Sequence, residues 1–243
     1  MNTLGNDFVG QINTQIARVQ NPLVLINMMI DDSSSMSFYK NFYKVIEGHN
    51  NLIDILAQSP RASVFQVRSQ YMHGRVISNG YRPIQKAARL TSKNYKLHGG
   101  TPLFLACRRT LHYSFRKFDE FTKQGYDVYT LNFLFTDGDN RHKPAGITAQ
   151  NVKCVTEQMN KSGRHIIVGV VANCGYVDFR KVFLEMGVLP QWIVSITSPD
   201  DVKQTFTDFA SVAEKSSCGS ESFMQTLADG FETTIGCAPK NNK

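Results

Sequence analysis

The chain has 243 residues, 42% of them hydrophobic, with 27 Lys and Arg against 20 Asp and Glu, a formal net charge of +7. That composition suits a globular chain with a full core and excludes a collagen-like or low-complexity polymer. The positive balance favours contact with an anionic surface, whether nucleic acid, phospholipid or acidic protein, without choosing among them.

Residues 1–21 read as an N-terminal appendage, 22–217 as the domain, and 218–243 as a C-terminal appendage that is partly helical. The almost wholly apolar run at 23–30 stops abruptly at Asp31, which predicts a central strand buried on both faces. Apolar residues at helical spacing predict a helix over 38–57. Two β-like pieces follow at 62–67 and 75–78, around the His73-Gly74 turn signal. A helix is expected from Pro102 to about 121, with the proline in its first turn, where its missing N–H has no partner anyway.

The second half alternates strands at 127–135, 165–172 and 192–196 with helices at 148–161 and 177–186. A last helix over 198–215 has Ser198 as N-cap, Pro199 at its first position and acids in its first turn. This alternation predicts an α/β fold: a Rossmann-like, doubly wound, mostly parallel sheet flanked by helices. Sites in such sheets lie beyond the carboxyl ends of the strands.

The five cysteines are scattered and form no CxxC pair, so neither a disulfide framework nor a zinc site is indicated. A reducing cytoplasm is the expected setting; Cys218 and Cys237 are the pair that an oxidising compartment would join. No signal peptide is expected in residues 1–20, and no stretch approaches the ~18 apolar residues of a membrane span. The densest basic clusters, Arg108-Arg109 and Arg116-Lys117, read as solvated helix faces rather than a nucleic-acid patch.

Three polar segments follow buried strands or tight turns. They are Asp31-Asp32-Ser33-Ser34-Ser35-Met36, Gly99-Gly100-Thr101-Pro102-Leu103 and Thr136-Asp137-Gly138-Asp139-Asn140. One carboxylate with several hydroxyls makes a hard oxygen site of the kind Mg²⁺ accepts. Asp31, Ser33 and Ser35 alternate along their loop and can converge on one point. Thr101 arrives from a second loop that Gly99-Gly100 frees to approach closely. Asp137 ends a neighbouring strand.

In this order, Asp-x-Ser-x-Ser-Met, Gly-Gly-Thr-Pro-Leu and Thr-Asp-Gly resemble the metal-ion-dependent adhesion site of von Willebrand factor A-type (VWA) domains. The resemblance covers residues 22–217 and is carried by the ordered triple, since any one motif alone is weak. It implies the VWA fold with one divalent ion at the top of the sheet, Mg²⁺ first and Mn²⁺ or Ca²⁺ as alternatives. Asp31, Ser33, Ser35 and Thr101 are then the metal-site side chains, with Asp137 a direct or water-mediated ligand. Gly100, His98 and Asp139 fall on the rim.

The function expected from this resemblance is a non-enzymatic module whose ion is completed by an acidic residue of a protein partner. Intracellular single-domain VWA proteins of bacteria and their viruses, often linked to stress responses or AAA+ ATPases, are the nearest type. Nucleic-acid association through the basic surface is the alternative. A metal-dependent hydrolase is disfavoured, because the sequence offers no paired carboxylates with an evident base and no G-x-S-x-G elbow.

Overall fold

Leu23 to Ile30 lose all or nearly all contact with solvent because they form the middle of a sheet, with strands on both sides and helices on both faces. A computed structural model describes residues 22–75, 77, 79–137, 146–172, 179–196 and 198–231. Its six strands are β1 (Pro22–Ile30), β2 (Phe65–Tyr71), β3 (Arg82–Pro83), β4 (Asp127–Thr136), β5 (His165–Ala172) and β6 (Ile193–Ile196). They run in the order β3-β2-β1-β4-β5-β6, all parallel except the two-residue edge strand β3, which pairs antiparallel with β2.

The helices are α1 (Asn41–Gln58), α2 (Leu103–Lys123), α3 (Ala149–Ser162), α4 (Phe179–Glu185), α5 (Pro199–Ser216) and α6 (Ser220–Asp229). α1 packs on α5, and α2 packs on α3. Alternate residues of β4 serve the two layers. Phe133 packs at a tilt against Phe206 and Phe209 of α5, whereas its neighbour Asn132 faces Asn27 and the α2 side. The chain winds outward in both directions from β1, so the strand order reverses between β1 and β4. In an open α/β sheet that switch point opens a crevice at the carboxyl ends of the strands.

Local signals explain most boundaries. Ser198 accepts the Asp200 N–H as N-cap of α5, with Pro199 in the first turn, as the sequence predicts. Asn151 closes the start of α3 by accepting from both the N–H and the hydroxyl of Thr148. Three expectations shift. The helix predicted from 38 begins at Asn41, after a 3-10 stretch over Ser34–Lys40. Pro102 is the N-cap of α2 rather than its first residue, and its carbonyl accepts from Ala106. The piece at 62–67 becomes a 3-10 turn and the start of β2, and of the piece at 75–78 the described residues Arg75 and Ile77 lie in a tight return. In that return Tyr71 donates to Arg75 O and Ile77 donates to Ser69 O across Gly74, whose φ of +89° explains the glycine.

α6 lies within the segment read as a C-terminal appendage. It packs on the body: Phe223 is fully buried 4.5 Å from the ring of Tyr129, and Phe231 donates its N–H to Gln191 O. Residues 1–21 and 232–243 lie outside the described residues, as do Cys174 and Cys237. Cys107, Cys154 and Cys218 are free thiols. Among the described residues no helix is long and apolar enough to cross a membrane.

Gly169 of β5 marks how tightly the layers meet, because a Cβ there would lie 2.6 Å from the ring of Phe183. Gly169→Val is expected to destabilise the fold by roughly 1–3 kcal/mol through overpacking, read from the urea midpoint.

Candidate metal centre

The crevice between β1 and β4 is where the polar motifs meet. Asp31 continues β1 by one residue, its N–H donating to Phe135 O at 3.1 Å, and Asp137 follows β4 directly. Both carboxylates are therefore carried by the two central strands of the sheet. Asp31 is fully buried and Asp137 is 7% exposed.

Each oxygen of Asp31 is oriented. Oδ1 accepts the Ser33 N–H at 2.7 Å, which turns the loop sharply after the strand. Oδ2 accepts the Thr136 hydroxyl at 2.6 Å. The turn brings the Ser33 and Ser35 hydroxyls within 2.9 Å of each other. Ser35 donates to Asp137 Oδ1 at 2.7 Å, and Ser33 lies 3.5 Å from the same oxygen. Four of the five predicted ligands thus form one hydrogen-bonded cluster.

Thr101 is buried at the head of α2, and its hydroxyl takes no hydrogen bond within the described residues. It does not cap the helix, since Pro102 holds that position. Its loop is nevertheless tied to the first motif: His98 donates its N–H to Asp32 O at 2.6 Å, and the Ser34 hydroxyl donates to His98 O at 3.0 Å. The predicted rim residues His98 and Gly100 are exposed on this loop, Gly100 with φ +78°. Asp139 lies outside the described residues.

Electrostatics set this cluster apart from an ordinary polar turn. Burial raises the pKa of Asp31, against the lowering effect of the Thr136 and Ser33 hydrogen bonds. Asp137 is pushed up to about 7, first by burial and then by the charge of Asp31, while the Ser35 and Ser33 hydroxyls pull the other way. No basic side chain pairs with either carboxylate among the described residues. Two buried carboxylates thus stand together without a counter-charge among the described residues, an arrangement whose charge a bound cation would compensate. The donors are oxygens throughout, two carboxylates and three hydroxyls, and among the described residues no group of three His, Cys, Asp or Glu side chains that could hold a metal converges here or elsewhere. A small hard ion fits this donor set.

Several supporting residues carry no local sequence signal. Asp32, read as a variable position, is fully buried: its Oδ1 accepts the His73 N–H at 3.1 Å and pairs with His73 Nδ1 at 2.6 Å. The other ring nitrogen of His73 meets Gly99 O at 2.9 Å, so His73 staples the Gly-Gly loop to the first motif. Arg75 approaches Asp32 Oδ2 at 4.0 Å. Tyr95, stacked between Phe42 and Tyr71, donates its hydroxyl to Asp31 O and fixes the backbone of the central ligand. His73→Ala is expected to cost about 1–3 kcal/mol of stability, because it leaves the Asp32 carboxylate buried with its main partner gone. Chemical denaturation checks it.

No protein-family model matches the chain, and no curated protein matches it in sequence. Solved structures do match in shape. The vWF domain of the type V pili tip protein Mfa5 from Porphyromonas gingivalis aligns over 81% of this chain and 96% of its own, at 11% identity and TM-score 0.55. Manganese-loaded TRAP from Plasmodium vivax aligns over 79% of this chain and 75% of its own, at 18% identity and TM-score 0.53. Proximal thread matrix protein 1 from the mussel byssus aligns over 80% of this chain at 15% identity and TM-score 0.51, and this chain spans only 46% of that protein's length. At these identities the likeness shows the fold, which is the VWA arrangement.

Proposed function

We propose that the chain is a non-enzymatic, metal-dependent protein-binding module. Asp31, Ser33, Ser35, Thr101 and Asp137 hold one divalent cation, Mg²⁺ first with Mn²⁺ or Ca²⁺ as alternatives, and a Glu or Asp of a partner protein completes its shell. The observation that carries this reading is the pair of buried, uncompensated carboxylates joined through the Ser33 and Ser35 hydroxyls at the switch point of the sheet. A bound ion would supply the positive charge that attracts the partner's carboxylate.

The protein's own residues do the rest. Thr136 and the Ser33 N–H hold the Asp31 oxygens in fixed directions, so little is spent on ordering when the ion arrives. Asp137, reached through Ser35, would supply a second negative charge to a bound ion. The loop bearing His98, Gly100 and Thr101 forms the rim against which a partner's acidic side chain seats, and the net charge of +7 assists its approach. His73, beside the first motif, is committed to Asp32 and Gly99 through its two ring nitrogens. The cytoplasm, in a stress-response or AAA+ ATPase-linked assembly, is the setting the family resemblance implies.

The test is capture of protein partners from a cell lysate with Mg²⁺, with EDTA, and with Thr101→Ala in Mg²⁺. A partner retained in Mg²⁺, released by EDTA and weakened at least roughly tenfold by Thr101→Ala, with melting temperature nearly unchanged, is the expected result. Equal capture in EDTA would refute an ion-bridged contact.

A further inference from the structure

The basic residues of α2 read from sequence as solvated faces, and the structure divides them. Lys117 pairs with Glu120 at 2.7 Å. Arg108, Arg109 and Arg116 meet no acidic side chain among the described residues. With Leu105, His112 and Tyr113 these three arginines line a groove of about 560 Å³ on the outer side of the helix. Arg108 and Arg109 stand on one turn and Arg116 two turns further on, about 11 Å away along the axis, with His112 between them. The return loop after β2 borders the groove: a Cβ at Gly74 would lie 3.6 Å from the Arg109 guanidinium, and one at Gly80 would lie 3.5 Å from the Tyr113 hydroxyl.

A second observation comes from beneath the surface. Arg68 is 5% exposed and lies with its guanidinium 4.1 Å over the Tyr113 ring, directly behind the groove wall. It is held by the side-chain oxygens of Asn27 at 3.1 Å and Gln70 at 2.5 Å, both neutral, with no carboxylate among the described residues. Buried cations are ordinarily paired, so an uncompensated one adds its field to that of the three arginines outside. Arg116 covers the same ring at 5.6 Å. His112, whose pKa is lowered by burial and by Arg108, contributes a ring rather than a second charge at neutral pH.

We propose that this groove is a second binding site, independent of the metal centre, that takes the phosphodiester backbone of a single-stranded nucleic acid. Arginine in place of lysine at every unpaired position favours phosphate, because the planar fork donates two parallel hydrogen bonds and the guanidinium stacks on rings. Guanidinium groups at two points about 11 Å apart suit an anion that carries several charges better than a lone carboxylate. Backbone contacts of this kind confer affinity without reading sequence.

Fluorescence anisotropy of labelled oligouridylate with the full chain in EDTA tests the proposal, with poly-L-glutamate as competitor. The expected result is binding that weakens with salt at a logarithmic slope near ~2, as three phosphate contacts on a single strand require. The triple variant Arg108→Glu, Arg109→Glu, Arg116→Glu should lose at least roughly tenfold in affinity and flatten that slope. Arg→Gln at the same three positions, which adds no repulsion within the helix, should do likewise if the Glu variant fails to fold. Unchanged binding by a folded variant overturns the site. So does no binding by the wild type at low salt. Displacement by polyglutamate at equal charge concentration overturns the phosphate assignment and points to an acidic protein surface.

Discussion

Asp31→Asn is expected to abolish divalent-ion binding and, in EDTA, to raise the stability of the protein by about 2 kcal/mol at pH 8. The opposite signs come from one cause. Asp31 is fully buried with a second carboxylate beside it, and in the ion-free protein their repulsion opposes folding. The amide keeps the local bonding: its oxygen still accepts the Ser33 N–H, and its NH₂ donates to Thr136 where the carboxylate accepted. What disappears is the charge, and with it the attraction for the ion. Thermal melts with and without Mg²⁺ read both effects. The ion should raise the melting temperature of the wild type and leave the variant unmoved. A variant less stable than the wild type in EDTA would mean that Asp31 serves the fold and not an ion.

The second large effect is on pH. Asp137 holds its proton up to about 7 in the folded protein, against an ordinary value of 3.8. Between those values the unfolded chain binds fewer protons than the folded one. Stability of the ion-free protein therefore falls as pH rises from about 4 to about 7, then levels off. An ion must displace that proton, so apparent affinity should be constant above pH 7. Below it, affinity should drop about tenfold per pH unit, with one proton released on binding. Titrations in two buffers of different ionisation enthalpy measure the release. Affinity independent of pH between 5 and 8 would show that Asp137 takes no part in the site.

Much of this was legible in the sequence, for reasons that differ by residue. β5 runs over 165–172 as expected, because a strand buried on both faces reads as a continuous apolar run between polar ends. The Asp31 loop was legible because side chains two apart on one turn project together, and the hydrogen bonds among Asp31, Ser33 and Ser35 are local. The convergence of Asp137 on that loop rested on the order of three motifs, and the parallel pairing of β1 with β4 places it there.

The supports of the site were not legible. Tyr95 reaches Asp31 across 64 positions and His73 reaches Asp32 across 41, and no period or motif marks either pair. Thr136 stood in a quoted motif, yet its bond to Asp31 depends on strand register. The arginines of α2 were visible as a cluster. Their lack of acidic partners, and Arg68 buried behind them, emerge only once β2 and α2 are packed together.

The central claim is that the crevice between β1 and β4 is a cation site built on Asp31. Calorimetric titration of Mg²⁺ and Mn²⁺ into the metal-free chain at pH 8, beside Asp31→Asn, tests it most directly. One saturable site in the wild type, for at least one of the two ions, and none in the variant is the predicted result. Equal binding by both proteins, or none by the wild type with either ion, would contradict it.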